Sequence, residues 1–328
     1  MVLGPITRGS LTFLASLSVS AGLPTAGFAQ EYPTRAVRWI IPYPPGGTSD
    51  FLARLIGAKL TDAWKQTMVI DNRAGANGNI GAEMVARAAP DGYTVLFVAS
   101  TITINQSAYP NLTFDTAKDL APVATVLWQP YVVAVHPSVP AASVKELVAL
   151  ARARPAMLDY SSGGPGNANH IAAELFAKMA GVKLTHVPYK GMGPGIAALL
   201  AGEVHLTFAS LVAVTPHLKS GRMRALAVTG EKRIGVLPDL PTVSESGVKG
   251  YEEGNWQGVL VPAQTPRAIV ARLNQELVRI VKSADISEQI VKIGADVVVT
   301  TPEQFGVMIR SDLRKYGELI KSLGLRLD

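Results

Sequence analysis

Apolar runs and helical-period segments alternate along most of the chain. "AVRWIIP" predicts a strand, and from Asp50 to Trp64 the apolar residues Leu52, Leu55, Ile56 and Leu60 recur on one face of a helix. "TMVID" predicts the next strand. After the turn "NRAGANGN" a helix runs through "IGAEMVARAA" and stops at Pro90-Asp91-Gly92. The apolar run in "YTVLFVAS" predicts a fully buried strand. This βαβαβ order predicts a parallel sheet with right-handed crossovers.

The pattern then restarts. "YVVAVHP" predicts a strand and Ser143 to Arg154 a helix, opened by a capping box of Ser143 with Glu146. "LDYSS" is a strand, "GGPGNAN" a turn, and "HIAAELFAKMAG" a helix with Ile171, Leu175 and Met179 in register. "LTHVPY", a helix around Ile196 to Leu200, "VHLTFAS" and "RALAVTG" complete a second α/β unit. The remaining section, "QGVLVPAQTP" with helices from Pro266 and Pro302, has too little strand to stand alone and is expected to pack back onto the first unit. The expected organisation is a discontinuous first domain, 31–130 with 252–328, and a second domain, 131–251. Two segments crossing between two α/β lobes describe a hinged cleft.

The first 29 residues change the compartment. They hold one charge, Arg8, then an apolar stretch from Leu11 to Leu23, then small residues up to Ala29. That is the pattern of a secretory signal peptide, 1–29. Ser16, Ser18 and Ser20 interrupt the apolar stretch, which falls short of the ~20 residues a membrane span needs. The 328-residue chain has no cysteine, so disulfides, thiolate metal sites and a lipid-anchored cysteine are excluded. A monomer diffusing in a bacterial periplasm is expected. Charged residues make up only 17% of the chain, and the formal net charge of +6 includes Arg8, leaving +5 after cleavage. The basic residues are dispersed and not interleaved with aromatics, so nucleic acid is not an expected partner.

Four strand-to-helix junctions would lie at the carboxyl ends of parallel strands, where open α/β sheets bind ligands. The first is "PYPPGGTSD": Gly46 and Gly47 allow close backbone approach, Thr48 and Ser49 supply hydroxyls, and Asp50 accepts backbone bonds in the first turn of a helix whose N-terminus attracts anions. The second, "YSSGGPGNANH", offers Ser161, Ser162, Gly163, Gly164, Asn167, Asn169 and His170 on the other lobe. The third offers Ser100, Thr101 and Asn105, and the fourth Ser210. Two helix N-termini facing each other across a cleft suit an elongated ligand with an anionic group.

Other chemistries fit less well. Asp71 stands 25 residues after Gly46, near where a dinucleotide fold places its ribose-binding acid, but neither Gly-rich turn reads G-x-G-x-x-G and no P-loop occurs. Ser161 or Ser162 with His170 would be the pair of a secreted α/β hydrolase, yet there is no G-x-S-x-G elbow. The five histidines (136, 170, 186, 205 and 217) form no metal-binding motif. No metal and no cofactor are expected.

Taken in order, "YPTRAVRWIIPYPPGGTSD", "DNRAGANGNIGAEMVARAAPDGYT", "VVAVHPSVPAASVKEL", "HVPYKGMGP", "GRMRALAVTGEKR", "LPDLPTVSESGVKGYE" and "LVPAQTPRAIVARLN" resemble the Bug-type substrate-binding proteins of tripartite tricarboxylate transport systems across almost the whole chain after the leader. The resemblance implies a two-lobed α/β fold of the type II periplasmic-binding-protein class that closes on a small carboxylate and performs no catalysis. The partner would be a membrane permease or a sensor kinase. Carried over, the family's clamp falls on Pro44, Gly46, Gly47, Thr48, Ser49 and Asp50, on Ser161, Gly163, Gly164, Asn167 and His170, and on Ser100 and Thr101 lining the cleft. Two departures stand out. The second loop carries Pro165 and places Asn167 where a hydroxyl is common. Phe208 is followed by Ala209, where relatives often have Asp. Without that carboxylate the ligand is expected to lack a cationic group, as a dicarboxylate or an aromatic acid does.

Overall fold

The computed structural model describes residues 1–4 and 32–327, so the leader expectation falls outside the described residues. Contacts divide the chain into Met1–Tyr32 and a compact unit, Pro33–Asp328. Residues 1–4 of the first are exposed and without regular structure; the regular elements belong to the second.

Its elements run β1 (Val37–Ile41), α1 (Thr48–Trp64), β2 (Met68–Asn72), α2 (Asn79–Ala86), β3 (Thr94–Ala99), α3 (Thr101–Ala108), β4 (Leu120–Val135), α4 (Val144–Ala153), β5 (Asp159–Ser162), α5 (Ala168–Ala180), β6 (Thr185–Pro188), α6 (Met192–Ala201), β7 (Leu206–Ser210), α7 (Leu211–Lys219), β8 (Arg224–Val228), β9 (Gly254–Pro262), α8 (Arg267–Val281), α9 (Ala284–Lys292), β10 (Asp296–Val297) and α10 (Pro302–Leu323). Among the described residues the strands follow the order β2-β1-β3-β9-β4-β7-β5-β6, with β8 and β10 attached to β4. The parallel triplet β2-β1-β3 and the parallel set β6-β5-β7 lie at opposite ends. Between them β9 pairs antiparallel with β3 and β4.

β4 joins the two halves. Its residues up to Pro130 pair with β9, whereas Tyr131 to Val135 pair with β7 and β8. The sequence suggested a strand only from Tyr131; the longer strand is hidden by Pro122, Pro130, Thr125 and Gln129, which break the apolar run. α3 follows the third strand-to-helix junction. Its "TITI" start has the β-branched composition of a strand, yet Ile102 and Ile104 are buried and Leu327 N–H donates to the Ala108 carbonyl at the helix end. Tertiary packing overrides local preference there. At α4, Ser143 Oγ accepts from Glu146 N–H as a cap should, but the Glu146 carboxylate accepts from Ala142 N–H, one residue short of the reciprocal box.

Among the described residues, two of the hydrophobic clusters along this sheet meet α10. One gathers Ile40, Leu96, Val98, Trp256, Leu260, Phe305 and Ile309; the other gathers Val133, Tyr160, Phe176, Phe208, Tyr251, Tyr316 and Ile320. α10 therefore contributes its first half to one core and its second half to the other. Where it passes the start of β9, Glu253 is buried, with Lys315 Nζ 2.7 Å from Oε2 and the Tyr316 hydroxyl donating to Oε1 at 2.6 Å. Beside them Trp256 Nε1 donates to Asp312 at 2.7 Å, and burial pushes the Asp312 carboxyl up to about 6.

Candidate functional site

The first Gly-rich loop leaves β1 and enters α1 at Thr48, so Ser49 and Asp50 lie inside the helix rather than before it. The left-handed demand falls on Gly46 (φ +88°). Gly47 is the N-cap, with extended backbone that any residue adopts and no side-chain cap bond. Asp50 organises the loop: its Oδ2 accepts from Gly46 N–H at 3.0 Å, and the Arg54 guanidinium holds its carboxyl below the usual carboxylate range. Ser49 Oγ donates to Gln257 Oε1 of β9 at 2.7 Å.

Ser100, at the end of β3, is tied to the same strand. Its N–H and hydroxyl both reach Asn255 Oδ1, and its N–H also reaches the Trp256 carbonyl. The Tyr43 hydroxyl, pushed up to about 12 by desolvation although the residue as a whole is half-buried, accepts from Ala99 N–H at 3.2 Å. β9 thus draws the ends of β1 and β3 into one wall. Pro44, Gly46 and Gly47 form its exposed rim, Thr48 is half-buried, and Ser49, Ser100 and Thr101 are buried behind it.

The second wall is built on β5. Ser162 Oγ accepts from Gly164 N–H, Gly163 N–H donates to Asn169 Oδ1, and Asn167 caps α5 by accepting from Asn169 N–H. Gly164 and Gly166 both take positive φ, +126° and +71°. The end of β6 joins them, since Gly191 N–H donates to the Gly163 carbonyl at 3.2 Å. Gly191 is the N-cap of α6 and makes no side-chain cap bond. A third helix N-terminus therefore converges on this wall, carried by the "KGMGP" stretch that sequence reasoning did not assign to the site. Ser210 ends β7, which runs parallel beside β5, and pairs with Tyr131 of β4.

His170 accepts, through Nδ1, from Gly166 N–H at 3.0 Å. Its ring stacks on His186 at 4.0 Å between centroids, and Tyr160 stacks on both, at 4.9 Å from His186 and 6.3 Å from His170. Burial depresses both imidazoles, His170 to about 3, with His186 adding to it, and His186 to about 4. The hydroxyl facing an imidazole is Ser162, 2.6 Å from His186 Nε2, not from His170. Ser162 is fully buried, and Ser161 Oγ, also buried, has no hydrogen-bond partner. A hydrolytic Ser–His170 pair is not formed. Asp71, the residue in the nucleotide position, is bridged by Arg38 and Arg73.

These imidazoles predict an acid sensitivity. Between about pH 6.5 and pH 4 the unfolded chain binds protons that the folded rings refuse, so their contribution to stability falls as the pH falls. Asp312, raised in the fold, acts oppositely in part of that window, so the informative quantity is a difference between variants. His170→Asn supplies an acceptor for Gly166 N–H without titrating. Its melting temperature should fall less than that of the wild type between pH 7 and pH 4.5; an unchanged slope would refute the assignment.

Two cavities lie away from both loops. One of about 970 Å³ runs between α8 and α10 past Arg267 and Arg310, and one of about 640 Å³ is lined by Leu218, Met223 and Leu240. Neither gathers the converging backbone N–H groups that mark the two walls.

Comparison with known proteins points the same way. The family described as the tripartite tricarboxylate transporter family receptor matches residues 52–325. Protein BugT of Bordetella pertussis is 32% identical over 97% of this chain and 98% of its own. The solved structure of R. palustris Rpa4515 with adipate is similar at a TM-score of 0.82 and 38% identity, covering 90% of this chain and 99% of that one. MatC (Rpa3494) from Rhodopseudomonas palustris with bound malate is similar at a TM-score of 0.78 and 28% identity, covering 88% and 100%.

Proposed function

The chain belongs to the tripartite tricarboxylate transporter receptor family, and on that premise we propose that it captures a small carboxylate without a cationic group, a dicarboxylate or an aromatic acid, between its two Gly-rich walls. Its fold is the two-lobed α/β fold of periplasmic solute-binding proteins. In this reading 31–130 with 252–328 and 131–251 move as lobes about the Pro130–Tyr131 and Tyr251–Glu252 crossings. The leader is cleaved after Ala29, and the closed form is offered to a membrane permease or a sensor kinase.

The observation that carries the reading is the chemistry of the walls. Both Gly-rich loops open into helix N-termini, and the donors they present are backbone N–H groups and hydroxyls. Arg54, the guanidinium bound to the first loop's helix, is committed to Asp50. Such a site binds an anion by its helix termini and charge-assisted hydrogen bonds. Ala209 is buried and Ser210 follows it, so no carboxylate at this strand end meets an ammonium group. Relatives whose structures hold adipate and malate make these acids the first probes.

The test is a thermal-shift panel on protein recovered from the periplasm, whose intact mass should place its first residue at Gln30. Dicarboxylates and aromatic acids should raise the melting temperature by a few degrees. A ligand at ~100 times its dissociation constant adds about 2.7 kcal/mol when it binds only the native state. A panel in which amino acids shift the melt and acids lacking an ammonium do not would sink the ligand class.

A further inference from the structure

The turn after β2 takes no part in the anion walls, yet it reaches one of them. Asn77 sits there at φ +55°, in the left-handed region that an Asn tolerates better than most residues. Asn105 holds it in place. Asn105 Nδ2 donates to the Asn77 carbonyl at 3.0 Å and to Asn79 Oδ1 at 2.6 Å, while its Oδ1 accepts from Asn77 Nδ2 at 2.9 Å. An amide nitrogen has two hydrogens. The second on Asn77 Nδ2 points to the Gly166 carbonyl at 3.3 Å.

Gly166 belongs to the second Gly-rich loop, 89 residues away in sequence and in the other half of the sheet. Its peptide is held on both sides, by Asn77 at the carbonyl and by His170 Nδ1 at the N–H. The C-terminal tail closes a third side. Leu327 N–H donates to the Ala108 carbonyl at 2.7 Å, and the Leu327 side chain fills the space that a Cβ on Gly166 would need. A residue of the turn after β2 and the end of the chain thus fix the shape of the second wall.

We propose that Asn77 is a latch between the two halves: with Leu327 behind it, it positions the loop 163–169 to receive the anion and sets how easily the cleft opens. The purpose of the latch rests on the carboxylate-capture reading, whereas its bonds need no ligand. Opening would break the Asn77–Gly166 bond while the Asn77–Asn105–Asn79 network stays intact within its own half. The latch partner is then waiting, preorganised, each time the lobes close.

Hydrogen exchange on the full chain tests this without a known ligand. Asn77→Gly keeps the left-handed backbone and deletes the amide. Amides 163–169 should then exchange about two- to tenfold faster, the range one net hydrogen bond supplies, while β1 to β3 exchange as in the wild type. A role confined to its own turn would speed exchange at 73–79 and in α3 and leave 163–169 unchanged; that outcome overturns the proposal. Truncation after Leu325 leaves Asn77 intact, removes Leu327 and should also speed 163–169. No change there in either variant overturns the latch as well. Adipate and malate separate the two readings. If either acid slows exchange at 163–169 in the wild type, and less so in Asn77→Gly, the latch serves capture. If neither acid has any effect while Asn77→Gly still speeds the loop, the latch stands and the carboxylate reading falls.

Discussion

The monomethyl ester of whichever acid binds best should bind at least about tenfold more weakly than the acid itself. The first wall ends in the N-terminus of α1, whose N-cap Gly47 supplies no side-chain oxygen to its N–H groups. The second gathers the N-termini of α5 and α6, the latter also without a side-chain cap. A carboxylate satisfies several such donors at once and meets the positive ends of the helix dipoles. Asp50 places a negative charge beside the first loop, which by itself would repel the ligand, but the Arg54 guanidinium 2.9 Å away offsets it. An ester keeps the shape and loses the charge. Leaving a buried donor poorly paired costs roughly 1–3 kcal/mol, and more where a charge-assisted bond is lost. About 1.4 kcal/mol already corresponds to tenfold. The ester should also produce less compaction in small-angle scattering, because both walls must grip one anion to hold the cleft shut. Equal affinity and equal compaction for acid and ester would remove the paired loops from the site.

Those loops were legible in the sequence because glycine and asparagine are read one residue at a time. Gly46 and Gly164 sit at positive φ in turns that open helices, and a Gly-rich strand-to-helix turn announces itself. What supports the loops was not legible, because each support is a contact between distant segments. Nothing local marks Gln257 as the partner of Ser49, or Asn255 as the anchor of Ser100. The same contrast holds for the fold. β1 and α1 follow from an apolar run and a helical period. β4 does not, because a strand that serves two sheets in turn carries the prolines and polar residues of its bend. The β-branched start of α3 does not favour a helix by itself; Ile102 and Ile104 are buried in the fold. The contacts of His186 were not legible either. Its partner Ser162 lies 24 residues away, and only the side-by-side pairing of β5 and β6 brings them together.

Lys315→Met should cost about 2–3 kcal/mol of stability, the largest loss expected from a single side chain at the crossing between the two halves. Glu253 has no exposed side-chain surface, and its carboxylate is satisfied by Lys315 Nζ at 2.7 Å and the Tyr316 hydroxyl at 2.6 Å. The Lys315 ammonium also donates to the Glu252 carbonyl. Removing one partner of a buried ion pair typically costs about 3–5 kcal/mol, because the remaining charge stays desolvated. Lys315 is 40% exposed, so water can reach part of the gap, which brings the expected cost down. The neighbouring Asp312, already pushed up by burial, offers no compensating positive charge. Replacing both partners, Glu253→Gln with Lys315→Met, should be milder than Lys315→Met alone, since position 253 then carries no unpaired charge and the loss felt by Asp312 is common to both variants. A thermal melt of the single and double variants at pH 7.5 reads both effects. If Lys315→Met melts within a degree of the wild type, or if the double variant is the less stable of the two, then Glu253 is not the charge that α10 holds at the crossing.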